Sequence, residues 1–532
     1  MEFQEIILQC MYRRYIYKYR VLWNNMKRIK ICPKEWSLVK ISTTNNEVYY
    51  RKNRKLSQYS YGITIPPQIN SDFKIEKMDS QKLPLKFTTR IVKETTSYAY
   101  IIIPKEITKF LNFRKENILK IKINGHIFFG KLRKKCKSLG LTIPQDISNK
   151  IIKDYCDISI EEVILLDKPV EDILIVNKNN RQYFDLISII PKKTSRDSNE
   201  FRILKIGGDR VLVCCDFKHV KGMNFKYVIL PRYMDANKMA LFFGLMHSDG
   251  LKKFGYQEIY NKYIFSPVLN FTNGDPHVID LFLNLFEELF AINRENFSIN
   301  IKYSLNIDTK KKEYIEKFWQ RITRCKPVIY NDKKRLNRWC PLGIINAGIY
   351  EILLAEIIIS SLKKFLFWLK NSNNNSLKIN FINGVLIGDG SPILDKGTLK
   401  RIMIAIEFRF EGEIYRKILS SLGFKSRNLW PQNQNNLPPP YLRKLDVQGN
   451  TKFLELLLKT FYFGYFEKGK FYGSLEKQYR FVKGALRLTK LTNRQKLEKE
   501  SLVLKVHLKS YINDVKSFLP IPKFYEEIVN ER

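Results

Sequence analysis

Two carboxylates stand where chemistry could be done. Asp389-Gly390 closes the run Phe381-Ile382-Asn383-Gly384-Val385-Leu386-Ile387-Gly388, and Asp249-Gly250 closes Phe242-Phe243-Gly244-Leu245-Met246-His247-Ser248, 140 residues earlier. Apolar residues at 381, 382, 385, 386 and 387 have the spacing of a buried helix. Asn373-Asn374-Asn375-Ser376 offers N-cap side chains, and Gly390 offers a left-handed stop. Each acid then falls in the last turn, where the helix dipole disfavours negative charge. An acid kept there suggests a cation beside it; the plainer reading is a C-cap turn on an ordinary core helix. Hard carboxylate oxygens hold Mg²⁺ while leaving it most of its waters, and such an ion can make water nucleophilic and stabilise a leaving oxygen. Metal-assisted hydrolysis is a reaction such groups suit.

The elements that must position the acids are legible beside them. Gly384 and Gly388 lie four apart, on one helix face, where a missing Cβ lets another backbone come close. Gly244 and Ser248 occupy the same places in the earlier copy. Two helices with such faces can pack together, and their carboxylates then meet at one end.

These stretches resemble the paired signature helices of LAGLIDADG homing endonucleases. Phe242 to Gly250 and Ile382 to Gly390 fill the nine places of the motif, with Asp249 and Asp389 at the acidic eighth. The resemblance covers roughly residues 232–510. It implies a monomeric nuclease part in which Asp249 and Asp389 are the catalytic acids. Each holds Mg²⁺, with Mn²⁺ as a substitute, together with the carbonyls of Ser248 and Gly388 and the scissile phosphates. Gly244, Ser248, Gly384 and Gly388 become the helix interface. Water positioning falls by position to Asn273 in the first half and to Glu411 in the second, where a glutamate is unusual. Asn270, Thr272, Arg401, Glu407 and Arg409 become the base-reading face of a saddle, since Arg can take guanine and Asn adenine. A polar strand face is also what plain solvent exposure produces. His247 is read as packing.

The activity implied is site-specific cleavage of double-stranded DNA. Two other readings stay open: a DNA-binding regulator on a nuclease scaffold that no longer cuts, and an RNA-splicing maturase, because charge does not separate DNA from RNA.

Bulk properties agree with a nucleic-acid partner. Over 532 residues, Lys and Arg number 93 against 52 Asp and Glu, a net charge of +41 spread along the length. Phosphate neutralisation explains so large an excess better than a bland solvated surface does; an anionic membrane surface is the alternative. An apolar fraction of 44% with 35 Phe and 29 Tyr supports packed cores. The most apolar run, Ile349 to Leu369, carries Glu351, Glu356, Lys363 and Lys364, so it reads as a buried helix and not a membrane span. Eight cysteines without a C-x-x-C spacing read as reduced thiols, and Met1 to Glu5 does not open a signal peptide; a cytoplasmic location is expected.

The order of elements predicts an α+β fold. Residues 1–55 form a basic segment, with 13 Lys and Arg against 4 acids and with Tyr12-Arg13-Arg14-Tyr15 and Tyr17-Lys18-Tyr19-Arg20 interleaving rings and cations. That pattern suits phosphates and bases, or a solvated helix face. Within 56–165 an Ile-Pro step recurs at Ile65-Pro66, Ile103-Pro104 and Ile143-Pro144, each after a β-branched strand and with the proline suited to the first position of a short helix. Strand, Ile-Pro, short helix and a hairpin turning at Asn124-Gly125 resemble AbrB-type swapped-hairpin domains, which implies DNA contact by hairpins that pair with one another; a generic small β-domain is the alternative. Residues 166–230 read as a β-rich connector. The first LAGLIDADG half runs over 231–372 and the second over 373–510, each in the order αββαββα, as pseudo-symmetric halves of a DNA-binding saddle. A tail, 511–532, follows.

Overall fold

In this computed structural model the backbone is described from Glu5 to Glu527, apart from short stretches and longer ones at 31–37, 65–72, 78–84, 218–224, 251–268, 304–308, 332–339 and 430–442. Side chains are described from Leu85 onward, with similar exceptions. The chain forms two compact units, Met1–Asp167 with His219–Phe225, and Lys168–Lys218 with Lys226–Arg532. Both strands and helices build the second, so the fold is of mixed α and β character.

In the first unit the strands Tyr98–Ile103 and Ser138–Ile143, the two best copies of the sequence echo, pair antiparallel with each other, Tyr100 opposite Thr142 and Ile102 opposite Gly140. Their neighbours cross over likewise: Ile118–Ile123 pairs with Tyr155–Ile164, which pairs in turn with Leu85–Thr95. Ile101, Ile103, Ile107, Leu119, Ile121, Phe128, Leu141 and Ile160 are fully buried between them. Asn124 and Gly125, both at positive φ, make the two-residue turn of the hairpin. Pro104 is the N-cap of Lys105–Phe110 rather than its first residue, because its ψ of 138° is extended and the helix starts after it. Tyr12 to Arg20 is not a helix face: Glu5–Tyr12 and Tyr15–Leu22 pair as antiparallel strands.

The second unit is organised on α1 (Ala236–Ser248), which Asp235 caps by accepting from Lys238 N. The first half continues with β1 (Leu269–Asn273), α2 (Pro276–Phe290), β2 (Ser298–Tyr303), α3 (Thr309–Thr323), β3 (Val328–Asn331), β4 (Ile344–Ile349) and α4 (Ile352–Leu369). Of the paired strands expected over Tyr256 to Tyr263 and Ile264 to Phe271, residues 256–268 lie outside the described residues and Leu269 to Phe271 belong to β1. The second half runs α5 (Asn375–Asp389), β5 (Gly390–Asp395), β6 (Thr398–Ile406), α6 (Arg409–Ser421), β7 (Ser426–Leu429), β8 (Arg443–Gln448) and α7 (Thr451–Thr460). A hairpin, β9 (Gly464–Glu467) and β10 (Lys470–Gly473), leads to α8 (Leu475–Leu486) and α9 (Arg494–Lys516), so the helical part passes beyond residue 510. Sheet orders are β1-β4-β2-β3 and β5-β6-β8-β7. Alternation along β1 and β6 turns Leu269, Phe271, Ile402 and Ile404 inward.

Two boundaries differ from expectation. The strand predicted over 402–410 ends at Ile406, and Arg409 already belongs to α6. Phe408 and Phe410 extend a period of two, but Phe410 and Ile414 are also four apart, and the helical period prevails. Gly390 is not left-handed: at φ −77° and ψ 155° it starts β5, and a Cβ there would meet Leu386 O at 2.5 Å. Close approach, not positive φ, accounts for that glycine.

Arg294, 4% exposed, holds the first half together by donating from Nε to Glu287 (2.8 Å) and from Nη1 to Asp280 (3.1 Å) and Ile322 O (2.7 Å). Arg294→Met removes these bonds while Lys470 stays on Asp280 and Arg324 lies 3.7 Å from Glu287, so unfolding experiments should record a loss of about 1–3 kcal/mol. A change below about 1 kcal/mol would mean water replaces the guanidinium without cost.

Candidate active site at two helix ends

The two helices cross through their small residues. A Cβ built on Gly244 would lie 2.1 Å from Phe381 O, and one on Gly384 only 2.2 Å from Leu241 O. No other residue fits at either place without parting the backbones. At the helix starts Asn237 Oδ1 accepts from Ser376 Oγ (2.8 Å) and Asn380 Nδ2 (2.9 Å), while Asn374 caps α5 through Leu377 N. Those polar contacts and the glycines together set the register in which the far ends meet.

At the far end the acids converge. A Cβ on Gly388 would meet Ser248 Oγ at 2.1 Å and Asp249 Oδ2 at 2.5 Å, so the Asp249 carboxylate rests against the backbone one residue before Asp389. Both acids thus sit at one end of the pair, inside the roughly 12 Å width of a helix. Asn273 Nδ2 donates to Asp249 Oδ2 (2.8 Å), and the amide is oriented because its Oδ1 accepts from Asp275 N (2.7 Å). Thr272 N donates to Asp249 O (3.0 Å), which ties the strand to the helix end. Asp275 in turn caps α2 at His277 N and accepts from Ser474 Oγ (2.9 Å), which leads into α8.

From α8 comes a residue that sequence reasoning did not select. Lys477 Nζ donates to Ile387 O (3.0 Å) and Gly388 O (2.5 Å), at the carbonyl end of α5. The helix-end acid had signalled a cation, and one stands there in the chain itself. Nothing local distinguishes Lys477 among 93 basic residues.

His247 is buried, its Nδ1 2.5 Å from Tyr415 OH, and it packs on Phe381. Burial, and then the charges of Glu411 and Asp389, push the Tyr415 phenol well above its ordinary pKa, so the hydroxyl keeps its proton. Glu411 does not stand where Asn273 does. It lies in the first turn of α6, 1% exposed, where the helix dipole favours an acid. The assignment to water positioning came from running the strand four residues too far.

On the strand faces, Asn270 is half-buried and Thr272 exposed, on the side of β1 opposite Leu269 and Phe271. Arg401 Nε lies 3.5 Å from Asp446 Oδ1, a carboxylate with no exposure, so its guanidinium is engaged within the protein. Arg409 is helical rather than on the strand, and Glu407 lies outside the described residues. Asp446, on β8 opposite Met403, was also missed by sequence reasoning, which read Leu445 to Gln448 as strand-like and no more.

Do these groups suit a divalent ion? Among the described residues no three His, Cys, Asp or Glu side chains cluster to hold one. Asp249 and Asp389 suit Mg²⁺, which takes one or two carboxylates and completes its shell with water and phosphate. The two ends differ, however. Asn273 gives Asp249 a neutral donor, whereas Lys477 puts an ammonium on the Gly388 carbonyl. Also among the described residues, Cys156, Cys214, Cys215, Cys325 and Cys340 form no disulfide, and no helix is long and apolar enough to cross a membrane.

Solved structures similar to this chain include the homing endonuclease I-DmoI in complex with DNA and Mn, at 16% identity and a TM-score of 0.25 over 42% of this chain and 96% of that one. The N-terminal LAGLIDADG domain of DUF199/WhiA is similar at 12% identity and 0.23, over 42% and 82%. Full-length DUF199/WhiA from Thermatoga maritima follows at 12% and 0.25, over 52% and 69%. No family model matches the chain, and no curated protein does. Likenesses this slight carry no function across; the residues must do so.

Proposed function

We propose that the region from about residue 231 to 510 is a two-motif DNA endonuclease of the LAGLIDADG type, its halves related by a pseudo-two-fold axis between α1 and α5. The observation that carries this is the glycine-faced helix crossing, which sets Asp249 against the backbone of Gly388-Asp389. The strand orders β1-β4-β2 and β6-β8-β7 support the duplication. A bound Mg²⁺ or Mn²⁺ would supply a nucleophilic water and stabilise the leaving oxygen. Asp249 would hold it, and Asn273 would orient that carboxylate. The polar faces of β1 and β6 would lie along the duplex, with the net charge of +41 drawing in phosphates. The interlocked pairing of Tyr98–Ile103 with Ser138–Ile143 supports an AbrB-like DNA-binding unit ahead of it, its hairpins joined within one chain.

A second reading has its own observation. Lys477 on the Gly388 carbonyl favours a DNA-binding regulator that retains the scaffold without the cut.

The test is incubation of the full chain with plasmid libraries in Mg²⁺ and then EDTA, beside duplex binding at rising salt. Binding should weaken by about 10³-fold or more between 50 and 200 mM salt. Recovery of one linearised sequence only with the metal supports the endonuclease. Specific binding without cutting in either Mg²⁺ or Mn²⁺ gives the regulator, and salt-insensitive binding removes both.

A further inference from the structure

The acid ends of α1 and α5 are alike in sequence but not in what stands on them. In the first copy the donor is the Asn273 amide, neutral and held by Asp275 N. In the second it is the Lys477 ammonium, within hydrogen-bond distance of both Ile387 O and Gly388 O. Gly388 O is the carbonyl a metal ion at Asp389 would need. Lys477 is held there by the fold: it sits in the first turns of α8, whose preceding residue Ser474 bonds Asp275 and whose Gly484 packs on Leu394 and the Leu399 backbone. The helix therefore cannot slide to release the side chain without breaking its contacts on β5, β6 and the start of α2.

We propose that Lys477 is the resident cation of the Asp389 end, taking the place of a divalent ion there, so that the protein holds metal at the Asp249 end alone. An ammonium and a divalent ion on one carbonyl repel each other, and the ammonium already satisfies the α5 carbonyls that a metal would coordinate. This rests on the endonuclease reading of the two acids. Lys477 is a positioning residue: it caps the last carbonyls of α5 with a cation, which suits the negative end of a helix dipole, and ties the α5 terminus to α8.

The experiment counts Mn²⁺ bound to the full chain by electron paramagnetic resonance, using wild type, Lys477→Met, Lys477→Arg, Asp249→Asn, Asp389→Asn and the double variant Lys477→Met/Asp389→Asn. Wild type and Lys477→Arg should bind the same number of ions, and Asp249→Asn one fewer. Lys477→Met should gain one ion, with affinity within about tenfold of the first, and the double variant should lose that gain. Melting curves verify that each variant is folded, and Asp389→Asn, which should lose no ion from wild type, carries the test should the Met variant not be. An ion lost from wild type on Asp389→Asn, or no gain in folded Lys477→Met, overturns the proposal while leaving the endonuclease reading standing. If neither wild type nor Lys477→Met binds any Mn²⁺ through these acids, the endonuclease reading itself falls with it.

Discussion

Asp249→Asn should reduce the proposed strand cleavage by at least about a thousandfold, several kcal/mol of barrier at about 1.4 kcal/mol per tenfold, while duplex affinity changes by less than about threefold. The substitution keeps the side chain's size and its place beside Asn273, so the helix crossing and the saddle are undisturbed. What is lost, on the endonuclease reading, is the charge that would hold a divalent ion. Docking depends on cations spread along the chain, and one carboxylate at a helix end opposes phosphate rather than attracting it. Removing it also relieves an unfavourable dipole contact, so the metal-free protein should melt at the same temperature or slightly higher. Asp389→Asn should cost less than Asp249→Asn, because Lys477 already stands at that end. Supercoiled-plasmid nicking beside gel-shift measurements separates the two effects. Equal cleavage by both variants and wild type would place the chemistry elsewhere.

The second large effect is on the fold. Gly384→Leu should destabilise the second unit by about 3 kcal/mol or more, and even Gly384→Ala should be costly. The atoms that an added Cβ meets are Leu241 O at 2.2 Å, Gly244 Cα at 2.8 Å and Leu245 N at 2.8 Å, all backbone and all in the partner helix. A flexible side chain could rotate aside, but a helix backbone cannot. The axes must part, and with them the buried faces carrying Phe243, Phe381 and Phe365. Gly207→Ala is the control, because nothing lies within 4 Å of its built Cβ. Urea midpoints of the two variants, followed by tryptophan fluorescence, should differ strongly. Matching midpoints would mean that the crossing tolerates separation.

Much of the helix pair was legible because its constraints are local. Asp235 and Asn374 announce helix starts by side-chain chemistry that acts within three residues, and glycines four apart announce a close face. The end of β6 was not legible, since Ile402 to Phe410 satisfies the strand period and its last residues also satisfy the helical one. Gly390 was assigned a turn conformation it does not have, because a glycine signals either positive φ or a close neighbour, and sequence does not say which. Lys477 and Asp446 were out of reach for a different reason. Each acquires its role from a partner distant in the chain, Gly388 for the lysine and Arg401 for the aspartate, and neither carries a local mark. The acid at a disfavoured helix end was the one local anomaly, and Lys477 donates to the two carbonyls just before it.

The crossed pairing in the first unit has a consequence in time. Leu85–Thr95 takes one neighbour, Tyr98–Ile103, almost at once, but its other neighbour is Tyr155–Ile164. A ribosome adding about 5–20 residues per second reaches that strand only several seconds later. Until then the strand's second edge stays open and the isoleucines of the half-built sheet are uncovered. Neither echo can close its core before the other has been made, so the two copies are born as one folding event. A chain halted between them should be recovered bound to chaperones or in aggregates, never as half a domain.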